Sequence, residues 1–136
     1  MVEILPKLLW IGNAFDVRES QPLFERGIAA IVDLAYEERQ AQLPRQLIYC
    51  RFPLVDGQGN DRNVLIQARQ TTVELVIKKI PTLVACSAGM SRSPIITAFA
   101  LSQIDNREPE ATLGLISEKK SLEVNPMLWD EMKHLD

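Results

Sequence analysis

From Pro94 to Ile104 the chain carries Ile95, Ile96, Ala98, Phe99, Ala100 and Leu101, apolar on nearly every side of the helix that its spacing predicts. A helix without a polar face has no surface to give to water, so other elements must enclose it. Four short runs rich in branched side chains can do so: Leu8 to Ile11, Ala30 to Leu34, Leu47 to Phe52 and Thr82 to Ala85. Each has the length and composition of a strand. Between the third and fourth, Val64, Leu65, Ala68, Thr72, Leu75, Val76 and Ile80 recur at helical spacing, with Asp61 as N-cap and Pro81 as stop. Two shorter helices are expected over Pro109 to Ser117 and from Asn125-Pro126 onward, where Leu128, Met132 and Leu135 share a face. Strands alternating with helices indicate an α/β architecture, and with no repeat, low-complexity tract or flexible linker the expectation is a single domain over residues 1–136.

Charge and composition exclude several classes. Fifteen basic against eighteen acidic residues give a net charge of −3, and no basic block interleaves with aromatics, so no nucleic-acid partner is expected. Charged residues interrupt every apolar segment short of the roughly 18–20 residues a membrane span needs, so no membrane association is expected either. The start Met1-Val2-Glu3 is acidic where a secretory leader would be basic. Cys50 and Cys86 are too few for a disulfide framework and too far apart for metal-ligand spacing. A soluble, monomeric, cytoplasmic protein is the expectation, with no metal and no cofactor.

Chemistry concentrates in Cys86-Ser87-Ala88-Gly89-Met90-Ser91-Arg92-Ser93-Pro94, which joins a predicted strand to the enclosed helix. At such a junction the backbone N–H groups of the loop and the helix N-terminus converge on one point, and a phosphate dianion suits it. Gly89 permits a backbone turn that a Cβ would hinder. Arg92 is permanently charged and planar, able to hold two phosphate oxygens at once. Beside it, at a helix N-terminus, Cys86 is expected to be held largely as thiolate, hence as a nucleophile.

The segment CSAGMSRS resembles the Cys-x5-Arg-Ser loop of the protein tyrosine phosphatase superfamily. With ILPKLLWIG, GIAAIVDL, YCRFPLVD and a late Asn125-Pro126 in the same order, the chain resembles the compact dual-specificity phosphatases along most of its length. The resemblance implies one mainly parallel sheet of four or five strands flanked by helices. It implies a cysteine-dependent phosphomonoester hydrolase acting on phosphotyrosine or phosphoserine/threonine in proteins, or on small phosphomonoesters. Cys86 would be the nucleophile and residues Ser87, Ala88, Gly89, Met90, Ser91 and Arg92 the phosphate cradle. Asp56, thirty residues before the cysteine, would be the general acid, and Ser93 the hydroxyl that assists the departing sulfur. The uncharged variable positions of the loop favour a singly phosphorylated protein side chain over a phosphoinositide.

One position departs from the pattern: the family's histidine before the cysteine is Ala85 here. That leaves a second reading, a phosphate-binding pseudophosphatase module with little turnover. A third, a sulfurtransferase, would leave Asp56 idle. Other residues have plainer roles. Asp56-Gly57 could be only a turn, Ser93 a helix cap, Cys50 core, Trp10 and Trp129 packing at the domain edge, and His134 a cation on a helix C-terminal surface.

Overall fold

The computed structural model describes residues 1–135. Five strands, β1 (Val2–Leu5), β2 (Leu9–Gly12), β3 (Ala30–Ala35), β4 (Ile48–Leu54) and β5 (Thr82–Ala85), form one sheet in the order β1-β2-β5-β3-β4. β2, β5, β3 and β4 run parallel, and β1 pairs antiparallel with β2. The four sequence runs are the four parallel strands. β1 is an addition at the edge, formed because the turn at Pro6-Lys7, with Lys7 at φ 56°, folds Val2–Leu5 back onto β2.

The sheet buries both faces, and alternate side chains go to opposite layers. On one side Leu9, Ile11, Val32, Leu34 and Val84 meet α3 (Arg62–Ile77), α4 (Arg92–Asp105), α5 (Pro109–Ser117) and α6 (Pro126–Lys133). On the other, Trp10, Ile31, Leu83 and Ala85 meet Val17 and Leu23 from two short helices, α1 (Ala14–Arg18) and α2 (Ser20–Glu25). Trp10 is therefore buried in the second layer rather than at an edge, whereas Trp129 packs against Phe99 with ring centroids 4.8 Å apart. Cys50, expected in the core, is only half-buried, because β4 is the edge strand.

Helix boundaries follow local chemistry. Asp61 caps α3 by accepting from the Asn63 N–H at 2.7 Å, and Asn125 caps α6 by accepting from Met127 and Leu128. α4, the enclosed helix, starts at Arg92, two residues before Pro94. A proline in the first turn lacks only an N–H that has no partner inside the helix. His134 ends α6, exposed, with its ring beside the Asp130 carbonyl and carboxylate.

β5 lies between β2 and β3, and all three end at the same edge of the sheet. Chains leaving the carboxyl ends of neighbouring parallel strands diverge there, and the crevice between them is where α/β sheets bind ligands. The loop from Cys86 to Ser91 sits in that crevice.

Candidate active site

Contacts to β2 and to the segment after α5 shape the loop. The Cys86 N–H donates to the Gly12 carbonyl at 3.3 Å. The Ser87 carbonyl accepts from the Ala14 N–H at 3.2 Å, the Met90 carbonyl from the Glu123 N–H at 2.9 Å, and the Gly89 carbonyl from the Lys120 ammonium. Three oxygens that would repel an anion are thus held by donors outside the loop. Gly89 has φ 74°, and a Cβ on it would lie 2.8 Å from the Gly12 carbonyl oxygen. The turn therefore needs glycine for its dihedral and for its close approach to β2. The result aims the Gly89 N–H at the Cys86 sulfur, 3.3 Å away.

Arg92 opens α4 and is almost wholly buried. Its Nη1 and Nη2 donate to the two carboxylate oxygens of Glu37 at 2.6 and 2.7 Å, and Nη1 also donates to the Leu54 carbonyl at 2.8 Å. The terminal edge of the guanidinium is therefore occupied by Glu37. The side edge remains, with a buried Nε that has no partner. Burial is the largest single influence on Arg92 and works against its charge, but the Glu37 bond and the charges of Cys86, Glu37 and Asp56 together outweigh it, so the guanidinium is a stronger base than usual. Reciprocally, the Arg92 bond holds the Glu37 carboxyl below the usual range against the opposing effect of burial.

Asp56 stands on the loop after β4. The Ser91 hydroxyl donates to its Oδ1 at 2.7 Å, and the Asn125 side chain donates to its carbonyl at 3.0 Å. Asn125 also donates its backbone N–H to Ser91 Oγ at 2.9 Å, so one residue ties the acid loop, the phosphate loop and α6 together. Asn60, bonded to Val55 and Gly57, and the Glu131 carboxylate, which accepts from the Gly59 N–H, close the rest of this segment. Asp61, five residues beyond Asp56, is engaged as a helix cap.

These parts enclose a cavity of about 290 Å³. Cys86, Ser87, Ala88, Met90, Ser91 and Arg92 line it from the loop, and Asp56, Glu37 and Glu123 form its walls. Gly89 contributes backbone behind this lining. A larger concavity of about 590 Å³ between α3, α4 and α6 contains neither cysteine nor any loop residue.

Ser93 differs from its capping expectation. It is the second residue inside α4, fully buried, and its hydroxyl has no partner. The N-cap is Ser91, whose hydroxyl is spent on Asp56 and caps nothing. Ala85 has a physical reason to be small. Fully buried, it points into the layer under α1, among Trp10, Val17 and Leu83, where an imidazole would overfill the packing.

Three charged groups at the site are absent from the sequence expectations. Glu37 follows β3, and its signal is an acidic pair, Glu37-Glu38, at the carboxyl end of a core strand. Glu38 accepts from the Ser87 hydroxyl at 2.7 Å and pairs with Arg18 at 3.2 Å, the Ser87 bond most strongly depressing its carboxyl. Lys120 reaches the loop from beyond α5. Burial pulls its ammonium below the ordinary lysine range, opposed by the charges of Cys86 and Asp16.

Known structures place the fold. Human DUSP28 superposes with a TM-score of 0.86 at 20% identity, covering 99% of this chain and 94% of that one. The fold is that of the dual-specificity phosphatases. A mouse protein named as a dual specificity phosphatase, solved with zinc tungstate, gives a TM-score of 0.85 at 20% identity over 98% of this chain and 84% of that one. Human tyrosine phosphatase-like serine/threonine/tyrosine-interacting protein gives 0.83 at 18% identity over 98% and 93%. No family model and no curated protein matches the sequence. The dual-specificity-phosphatase fold bears out the expected single, mainly parallel sheet, here of five strands, flanked by helices.

Proposed function

We propose that this protein is a cysteine-dependent phosphomonoester hydrolase whose substrates are phosphorylated protein side chains. The observation that carries the reading is the convergence on one cavity of the Cys86 sulfur, facing the Gly89 N–H, the unpartnered Nε of buried Arg92, and the Asp56 carboxyl. A phosphate seated there receives backbone N–H groups and the free edge of the guanidinium.

In the first step the Cys86 thiolate attacks phosphorus while Asp56 gives its proton to the departing oxygen, leaving phosphocysteine and the free hydroxyl of the product. In the second, Asp56 takes a proton from water, the water oxygen attacks phosphorus, and the thiolate and inorganic phosphate separate. Ser93 has the chemistry to assist that departure, since a hydroxyl donor lowers the basicity of a leaving sulfur. Its buried, unpartnered Oγ supports this role, because an idle hydroxyl in such a place costs about 1–3 kcal/mol.

The uncharged side chains of Ser87, Ala88, Met90 and Ser91 favour a single phosphate group. A neighbour in fold, PTPMT1, is solved in complex with PI(5)P, so the choice between lipid and protein phosphate must come from the residues around the loop. A second reading, a phosphate-binding module without useful turnover, rests on Ala85 and on the Glu37 carboxylate that occupies one edge of Arg92. Hydrolysis of an aryl phosphate, abolished in Cys86→Ser while phosphate still raises the melting temperature of that variant, supports the hydrolase. Phosphate binding with no wild-type turnover supports the module.

A further inference from the structure

Among the residues that line the cavity, Arg92 is the one cation, against the three carboxylates of Glu37, Asp56 and Glu123. Arg92 is bound by Glu37, Arg18 by Glu38, and the chain N-terminus by Asp16 at 3.3 Å. Lys120 donates to the Gly89 carbonyl of the loop. Two carboxylates of the cavity wall lack such a match: Asp56, held by a neutral hydroxyl, and exposed Glu123, which pairs with no cation among the described residues. A phosphomonoester dianion entering this site adds negative charge to a cavity whose lining carries three carboxylates and one guanidinium.

Four exposed large hydrophobic side chains lie close in sequence to these site residues. Among the exposed large hydrophobic side chains, Phe15 adjoins Ala14, Tyr36 adjoins Glu37, Val55 adjoins Asp56, and Met127 lies two residues from Asn125. All four sit on segments that bond to the phosphate loop or carry a wall of the cavity.

We infer that the rim selects phosphorylated peptide segments in which lysine or arginine flanks the phosphorylated residue, with Glu123 as the specificity-determining carboxylate and the four apolar side chains as the peptide-binding surface. The inference rests on the phosphomonoester reading of the cavity and names its substrate class. Charge complementarity supplies the occupant. A cationic flank offsets the uncompensated charge of the bound phosphate and of Glu123, while acidic flanks, polyphosphorylated inositols and anionic lipid surfaces add like charge at short range.

The test is equilibrium binding to Cys86→Ser, which retains the cradle without turnover. Three phosphotyrosine peptides identical except for Lys, Gln or Glu on both flanks are compared with their unphosphorylated forms and with vesicles containing a phosphoinositide. The Lys-flanked phosphopeptide is expected to bind about tenfold tighter than the Glu-flanked one at low salt, the gap narrowing as salt screens it. Adding Glu123→Gln, a surface change, should shrink that gap about threefold. Phosphopeptides that bind alike whatever their flanks, or vesicles that outcompete the Lys-flanked peptide, overturn the inference and leave the hydrolase reading standing. Phosphorylated and unphosphorylated peptides that bind equally overturn the phosphomonoester reading itself, and this inference with it.

Discussion

Glu37 grips Arg92 through two parallel hydrogen bonds of 2.6 and 2.7 Å, joining the end of the third strand to the start of the enclosed helix across 55 residues. Because Arg92 is nearly fully buried while Glu37 is about half exposed, with 53% of its side chain accessible, the pair lies between a surface ion pair and a buried one. It fixes which edge of the guanidinium faces the cavity and so couples stability to site geometry.

Replacing Glu37 by Gln should cost about 1–3 kcal/mol, between the figures for exposed and buried pairs. The Glu37 carboxyl is lowered in the folded protein from an ordinary value of 4.5. Its contribution to stability is therefore present above that value and lost as pH falls through the depressed one. Urea melts of wild type and Glu37→Gln should differ at pH 7, and the difference should shrink as pH falls below 4.5 and through the depressed value. A gap that does not narrow as pH falls below 4.5 would refute the pairing.

Lys120 is bonded to the Gly89 carbonyl in the loop that carries Cys86, and the residue before the cysteine is Ala85. Lys120→Met should slow alkylation of Cys86 by iodoacetamide at pH 6.5 about three- to tenfold, with Lys120→Arg close to wild type. Equal rates in all three proteins would show that the ammonium only braces the Gly89 carbonyl.

Much of this framework is legible in the chain, and the missing parts share a cause. The four parallel strands, Asp61 at the head of α3 and Asn125 at the head of α6 follow from local patterns, since apolar period and capping chemistry act over a few residues. α1 and α2, of five and six residues, are too short for a period to show, and α1 is held by the reciprocal Asn13–Asp16 capping box. β1 exists only as the partner of β2. In the site, Cys86, Arg92 and Asp56 fall on one cavity as the motif implies, but Glu37 and Lys120 reach the loop across 55 and 31 residues. No local pattern encodes such contacts. Ser93 reads as a cap because serine is a favoured residue before a helix start, whereas the helix starts at Arg92 and the hydroxyl of its N-cap Ser91 is engaged by Asp56 over a long range.

Gly89→Ala should be among the costliest single changes in the loop. A left-handed alanine loses about 1–2 kcal/mol, and the 2.8 Å approach to a backbone oxygen adds strain that no side-chain rotation relieves. Thermal melts should show a lower midpoint and no added stability from phosphate, which wild type should show. Phosphate stabilisation equal to wild type would contradict the loop geometry.

Asn125 separates stability from positioning. Asn125→Ser keeps a side-chain cap for α6 but lacks the amide donor that holds the Asp56 carbonyl, whereas Asn125→Ala loses both. The serine variant should melt near wild type yet turn over several-fold more slowly, with KM little changed. The alanine variant should also lose about 1 kcal/mol. Full turnover in both would remove Asn125 from the positioning of Asp56.

The central claim is that Cys86 and Asp56 act together as nucleophile and acid. Its most direct test is hydrolysis of a small aryl phosphate from pH 5 to 8 by wild type, Cys86→Ser and Asp56→Asn. The account predicts a bell-shaped wild-type profile, no turnover in Cys86→Ser, and in Asp56→Asn a rate reduced about 10²-fold or more with the descending limb gone. Wild-type turnover that survives Cys86→Ser, or an Asp56→Asn profile that keeps both limbs and full rate, would contradict it.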